Sequence, residues 1–241
     1  MAGPSQGMVK NRLLRALSAD DYALLQPHFE HAPMEKGRVL IEPDMPISHV
    51  YFLESGLGSV IGLSPAGEAA EVGLYGVDGM VGMPVVLGTD RSPHQLFMQI
   101  GGAGWRMPAD ALRRAMRSSG TLGTLLARYV QFFLIMVAQT AISNAMHTVE
   151  ERLARWLLMA HDRMPDDDVP LTHEYLALML AVRRPSVTTA LHVLEGGGLI
   201  KATRGNVRIR DRAALEELAK EAYGLPEAEY ERLIGPLGAP D

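Results

Sequence analysis

Between Thr172 and Asp211 the hydrophobic pattern changes from helical to strand periodicity in a fixed order, and few folds satisfy it. The Thr172 hydroxyl is suited to capping a short helix whose apolar positions, Leu176, Leu178, Met179 and Leu180, recur at helical spacing. A tight Ala181-Val182-Arg183 turn precedes a second helix, from about Arg184 to Glu195, that buries Val187, Leu191 and Leu194 at i, i+4, i+7. Gly196-Gly197-Gly198 ends that helix. Two strands, Leu199–Arg204 and Val207–Arg210, then close on Gly205-Asn206, with Val207 and Ile209 facing in and Arg208 and Arg210 facing out. The pattern is that of a winged helix-turn-helix.

Charge points the same way. Residues 172–212 carry seven Lys/Arg against three acids, a local charge of +4 in a chain whose net charge is −5. A basic island in an acidic chain suits a phosphate-facing module, with the second helix in a major groove and the hairpin on the backbone of duplex DNA. A solvated basic face would carry the same charge, and a ligand-binding regulatory module acting through protein contacts is the alternative function. The helix-turn-helix spacing and the basic hairpin favour DNA.

At 241 residues, 47% apolar and 21% charged, the chain has the composition of about two globular domains. No apolar run is expected to reach the ~20 residues that span a bilayer, so no membrane partner is expected. Met1–Gly7 has no apolar signal core and is expected to be disordered, which by default implies a cytoplasmic protein. Cysteine is absent, which excludes disulfides, thiolate zinc sites, a cysteine nucleophile and cysteine-ligated iron–sulfur clusters.

The predicted architecture is α+β, in four parts. Residues 11–119 form an antiparallel β-roll sensor domain with flanking helices. Asn11–Phe29 supplies one or two short helices with Leu13, Leu14, Leu17, Leu24 and Leu25 inward. Short apolar segments (39–41, 50–53, 59–63, 71–74, 96–100) are strands, and the frequent glycines of 31–108 serve the turns. Ala109–Ser118 is a helix. A long helix occupies 120–146, and its stripe Leu122, Leu125, Tyr129, Phe132, Phe133, Met136 and Val137 approximates a heptad seam, predicting a coiled-coil dimer interface rather than packing on its own roll. Met146-His147 is a candidate hinge, because Thr148-Val149-Glu150-Glu151 reads as a capping box opening the next helix. Residues 147–223 form the winged domain, with an acidic turn at Pro165–Asp168, and 224–241 a C-terminal extension holding one further short helix.

These features together resemble the Crp/Fnr superfamily of bacterial transcription regulators, the cyclic-AMP receptor protein and its relatives. Val50–Gly56 looks like the family's strand leading into a glycine turn, and Glu150–Leu158 like the helix opening its DNA-binding domain. Leu171–Glu195 with Leu199-Ile200 looks like its helix-turn-helix. The resemblance implies a cyclic-nucleotide-binding-domain-like jelly roll and a homodimer on a two-fold symmetric operator, with RNA polymerase a further partner. It places Arg184, Thr188, Thr189 and His192 outward on the recognition helix, Arg184 able to read a guanine edge, with Arg183 beside them. Thr172, His173 and Ser186, and Lys201, Arg204 and Arg208 of the wing, would meet phosphates. Pro185 stands where well-known relatives carry a base-reading glutamate, so their operator sequence does not transfer.

The same resemblance marks Gly82, Met83, Arg91 and Ser92 as the effector pocket. Met83 replaces the acid that holds a ribose and Pro93 crowds Arg91-Ser92, so cAMP is not expected, and the small-molecule effector is unassigned or absent. A haem ligand stays open among eight histidines, none singled out by its spacing; no other cofactor and no metal is expected. The chain has no His-x-His, phosphate-binding P-loop or Gly-x-Ser-x-Gly, and it is not expected to be an enzyme.

Overall fold

The computed structural model describes residues 3–63 and 69–237. The elements run α1 (Arg12–Arg15), α2 (Ala19–Leu25), β1 (Glu30–Met34), β2 (Val39–Ile41), β3 (His49–Leu53), β4 (Leu57–Leu63), β5 (Ala69–Tyr75), β6 (Met80–Val81), α3 (Met83–Val86), β7 (Gln95–Ile100), β8 (Gly102–Pro108), α4 (Ala109–Ser118) and α5 (Gly120–Met146). The C-terminal half adds α6 (Val149–His161), β9 (Asp168–Val169), α7 (His173–Met179), α8 (Arg184–Gly196), β10 (Ile200–Thr203), β11 (Asn206–Ile209), α9 (Arg212–Ala219) and α10 (Leu225–Leu233).

Two antiparallel four-stranded sheets, ordered β1-β8-β3-β6 and β2-β7-β4-β5, form the roll. Their inner faces bury Met34, Phe52, Leu57, Met98 and Met107. The five predicted strands are present. β1, β6 and β8 were not foreseen: Pro33 interrupts β1 and three glycines dilute the pattern around β8, yet β1 and β8 pair over five residues. Leu13, Leu14 and Leu25 cover one end of the roll, whereas Leu24 faces solvent, a correction to its inward placement. The expectation of a disordered N-terminus is also corrected for residues 3–7, Met1 and Ala2 lying outside the described residues. Gln6 Nε2 donates to the carbonyls of Leu14 and Leu17, and Tyr22 Oη donates to Pro4 O.

Ser119 caps α5, its Oγ accepting from Leu122 N, and His147 ends that helix in extended geometry. Thr148 and Glu151 complete the predicted capping box of α6. Within an 18-residue window α5 reaches a mean hydropathy of 1.6, so by length and composition it could cross a bilayer, contrary to the expectation of no such run. One face of it is buried against the rest of this chain. Phe133 stacks on Tyr75 at 4.8 Å between ring centroids, and Phe132 meets Tyr230 of α10 edge-on at 4.9 Å.

That packing corrects the predicted dimer seam. Leu122, Tyr129, Phe132, Phe133 and Met136 are buried within the chain itself, and Leu125 and Val137 are half-buried. A helix with a mostly apolar circumference has two candidate faces, and the bulkier side chains went to the core because they bury more area. Glycines assigned to turns prove to seat these side chains. A Cβ on Gly73, Gly76 or Gly79 would lie 2.6, 2.7 and 1.9 Å from Phe133, Arg163 and Tyr129 respectively.

The winged domain docks on the outer face of the β2-β7-β4-β5 sheet. Tyr175 of α7 stacks on Phe97 with Lys36 Nζ 4.8 Å from its ring, and Trp156 Nε1 of α6 donates to Glu71 Oε1 at 2.8 Å. Arg163, just past α6, forms a fully buried bidentate pair with Asp78, at 3.0 and 2.7 Å. Burial lowers the pKa of the Arg163 guanidinium, but Asp78 and Asp162 more than offset this, and it stays firmly protonated.

Candidate nucleic-acid interface

The helix-turn-helix is built by local rules. Thr172 Oγ1 accepts from Tyr175 N and so caps α7. At its other end Val182 N bonds to Ala177 O and Ala181 N to Leu178 O, which forces Ala181 into left-handed backbone at φ +48°. This sharp exit sets the angle between α7 and α8. Pro185 fits the first turn of α8, where its missing N–H is no loss. Val187, Leu191 and Leu194 are buried, as the spacing predicted, along with Ala190, which it did not mark.

The wing is a three-stranded sheet, β10-β11-β9, rather than a simple hairpin. β9 begins at the last residue of the predicted acidic turn: Asp168 and Val169 pair with Arg208 and Val207. Two adjacent residues are too short a strand to leave a periodic signal. Val207 and Ile209 are buried and Arg208 and Arg210 exposed, in the predicted register.

Thr172, His173, Arg184, His192 and Arg204 line one open groove of about 770 Å³ between α7, α8 and the wing. Arg183 and Thr189 are exposed outside it, and Ser186 and Thr188 are half-buried. His173 Nδ1 lies 3.2 Å from Thr188 Oγ1, a hydrogen bond across the two helices, while Thr189 Oγ1 donates back to Pro185 O. Lys201 lies on the far side of α8, beside a smaller hollow shared with His192 and Arg210.

Three acids that sequence reasoning did not place on this face temper its charge. Glu174 pairs with Arg184 at 2.8 Å, Glu195 with Lys201 at 2.9 Å and Asp168 with Arg208 at 3.8 Å. Lys201 and Arg208 stand directly opposite in the β10–β11 ladder, where like charges repel, and each has its own acid to compensate. The Lys201 hydrogen bond holds the Glu195 carboxyl below its usual pKa, helped by Ala202 N. Arg183, Arg204 and Arg210 have no ion-pair partner among the described residues. The three acid partners were invisible because each pairing crosses between separate elements.

Gly82 and Met83 lie at the start of α3, and Arg91 and Ser92 in the loop before β7. Gly82 takes φ +107° against Val50, and Met83 opens the short α3. Arg91 is exposed and clasps its neighbour Asp90, while Ser92 Oγ is occupied as acceptor of His94 N. Among the described residues there is also no cluster of three or more His, Asp and Glu that could hold a metal ion.

Comparison with known proteins agrees with this geometry. Residues 151–218 match the Crp-like helix-turn-helix domain. The fold is similar to FixK2 from Bradyrhizobium japonicum (TM-score 0.70, 16% identity, covering 81% of this chain and 99% of that one). It is also similar to a Crp-family transcriptional regulator from Thermus thermophilus (0.61, 23%, 78% and 96%). A third similar structure is the c-di-GMP-responsive global regulator CLP from Xanthomonas campestris (0.60, 18%, 80% and 99%). No curated protein sequence matches the chain. A Crp-like helix-turn-helix domain therefore occupies residues 151–218, in a chain with the overall fold of the Crp/Fnr transcription regulators.

Proposed function

We propose that the protein is a sequence-specific transcription regulator that binds a two-fold symmetric operator as a homodimer in the cytoplasm. The observation that carries this is the convergence of Thr172, His173, Arg184, His192 and Arg204 on one groove beside an exposed recognition helix. Arg184 would exchange Glu174 for a guanine edge, and Arg204, Arg208 and Lys201 would contact phosphates on either side. No step in this mechanism is catalytic.

Dimerisation is assigned to the outward face of α5. Thr124, Ala127, Gln131, Leu134, Ala138, Ala141 and Ala145 are all exposed and follow a 3-4-3-4 spacing, flanked by the exposed Ile142. That is a heptad seam with small residues, which lets two helices approach closely. Leu134, 58% exposed, is its largest apolar knob. RNA polymerase would be met by the outer surface of the DNA-bound dimer. The contacts of the winged domain with the roll, Tyr175 on Phe97, Trp156 on Glu71 and Arg163 on Asp78, are taken to set the position of α8.

Selection of bound sequences from random duplexes by the purified protein at near-physiological salt tests this. One symmetric site, with half-sites about 34 Å apart, is the expected result. Absence of any salt-sensitive DNA binding would overturn it.

A further inference from the structure

The segment beyond α9 lies past the end of the matched helix-turn-helix domain at residue 218, yet it is tied into α5, the roll and the winged domain at several points. Tyr230 is fully buried. Its ring meets Phe132 of α5 edge-on, and its hydroxyl donates to the carbonyl of Asp78 in the roll at 2.6 Å. Leu237, near the end of the described chain, is also buried. At the start of the segment Gln139 of α5 donates to Glu221 O at 2.9 Å. Tyr223 Oη donates to Asp162 at 2.8 Å, beside Arg212 on the same carboxylate.

Asp78 is thereby a shared anchor. Its carboxylate holds Arg163 of the winged domain and its carbonyl holds Tyr230 of the extension. Only the extended residues His147 and Thr148 join α5 to α6, so the covalent link alone leaves the winged domain free to swing. The extension spans that joint. It uses Phe132 and Gln139 on the inward side of α5, and the exposed 127-131-134-138-141 face stays clear.

We propose that residues 220–237 are an intramolecular strap that fastens the winged domain to α5 and to the Asp78 loop of the roll, so that the presentation of α8 is set by the chain itself. For its consequence on DNA the proposal rests on the function given above. The strap itself is tested independently, by hydrogen exchange in the full-length protein and in Tyr230→Ala and Tyr230→Phe.

Segments 76–79 and 143–149 are expected to exchange about tenfold faster in Tyr230→Ala, and about fivefold faster in Tyr230→Phe, which loses only one buried hydrogen bond. Residues 187–194 inside the winged domain should keep their protection in both. Affinity for the selected operator should fall in step with the exchange at the joint. Unchanged exchange at 76–79 and 143–149 in Tyr230→Ala would overturn the strap, as would a uniform rise that includes 187–194 in Tyr230→Phe. The exchange result holds whether or not the wild-type protein binds DNA, so failure of the DNA assignment and failure of the strap are distinguishable.

Discussion

Glu71→Gln should stabilise this protein, although it removes a hydrogen-bonded carboxyl from a domain interface. Glu71 lies on β5 under α6, almost fully buried, with Oε1 accepting from Trp156 and Oε2 without a partner. Desolvation pushes its pKa up from 4.5 to about 8, against the opposing pull of Ser59, Trp156, Arg155 and Arg163. The folded protein therefore keeps a proton that the unfolded chain releases above pH 4.5. Stability from this group is complete below that pH, declines by about 1.4 kcal/mol per pH unit, and is lost by about pH 8. At pH 7 the gap of roughly 2.5 units corresponds to about 3 kcal/mol. Glutamine keeps the acceptor for Trp156 and cannot ionise. Urea unfolding of both proteins from pH 4.5 to 8 should show nearly equal stability at the acid end. The variant should gain about 3 kcal/mol by pH 7, or roughly 6–12 °C in Tm. Equal pH slopes, or a less stable variant at pH 7, would show that Glu71 is ionised in the fold and held by Arg155, and the reasoning would fail.

Arg163→Met should be destabilised by about 3–5 kcal/mol in urea, because it strands the Asp78 carboxylate in the interior, and adding Asp78→Asn should recover much of that loss. The two faces of α5 should separate cleanly in sedimentation velocity: Ala138→Glu yields folded monomers. Phe133→Ala stays dimeric but loses about 3–5 kcal/mol of stability; the opposite pattern would return the seam to Phe133. In operator binding, Arg184→Ala should cost about 1–3 kcal/mol and relax preference at one base pair. Arg208→Ala should weaken all sequences alike and reduce the salt slope by about 1, and a sequence-dependent effect of Arg208→Ala would contradict its place on the phosphates.

What could be read without coordinates was whatever short-range rules decide. The Thr172 cap, the Val187–Leu194 stripe, the inward Val207 and Ile209 and the Thr148–Glu151 capping box each depend on residues within two turns or two strands of one another. The β-roll strands were legible where side chains alternate or cluster, and were missed at β1, β6 and β8, as was β9 of the wing, because these are short or interrupted by proline and glycine. For the site, the recognition helix and wing were placed from sequence. The acids that pair with Arg184, Lys201 and Arg208 were not, since those contacts join elements whose separation in the chain says nothing about distance in space.

The order of elements, the helix-turn-helix and its positive charge were thus determined by sequence alone, through hydrogen bonds and periodicities that close locally. Which face of α5 turns inward was decided only by the tertiary structure. Both faces are apolar, and the choice depends on whether a distant surface has room; Gly73 and Gly79 provide that room for Phe133 and Tyr129. The same holds for α10, whose Tyr230 finds its partner in Asp78, 152 positions earlier in the chain. Burial is a property of two surfaces meeting, and one strand of sequence describes only one of them at a time.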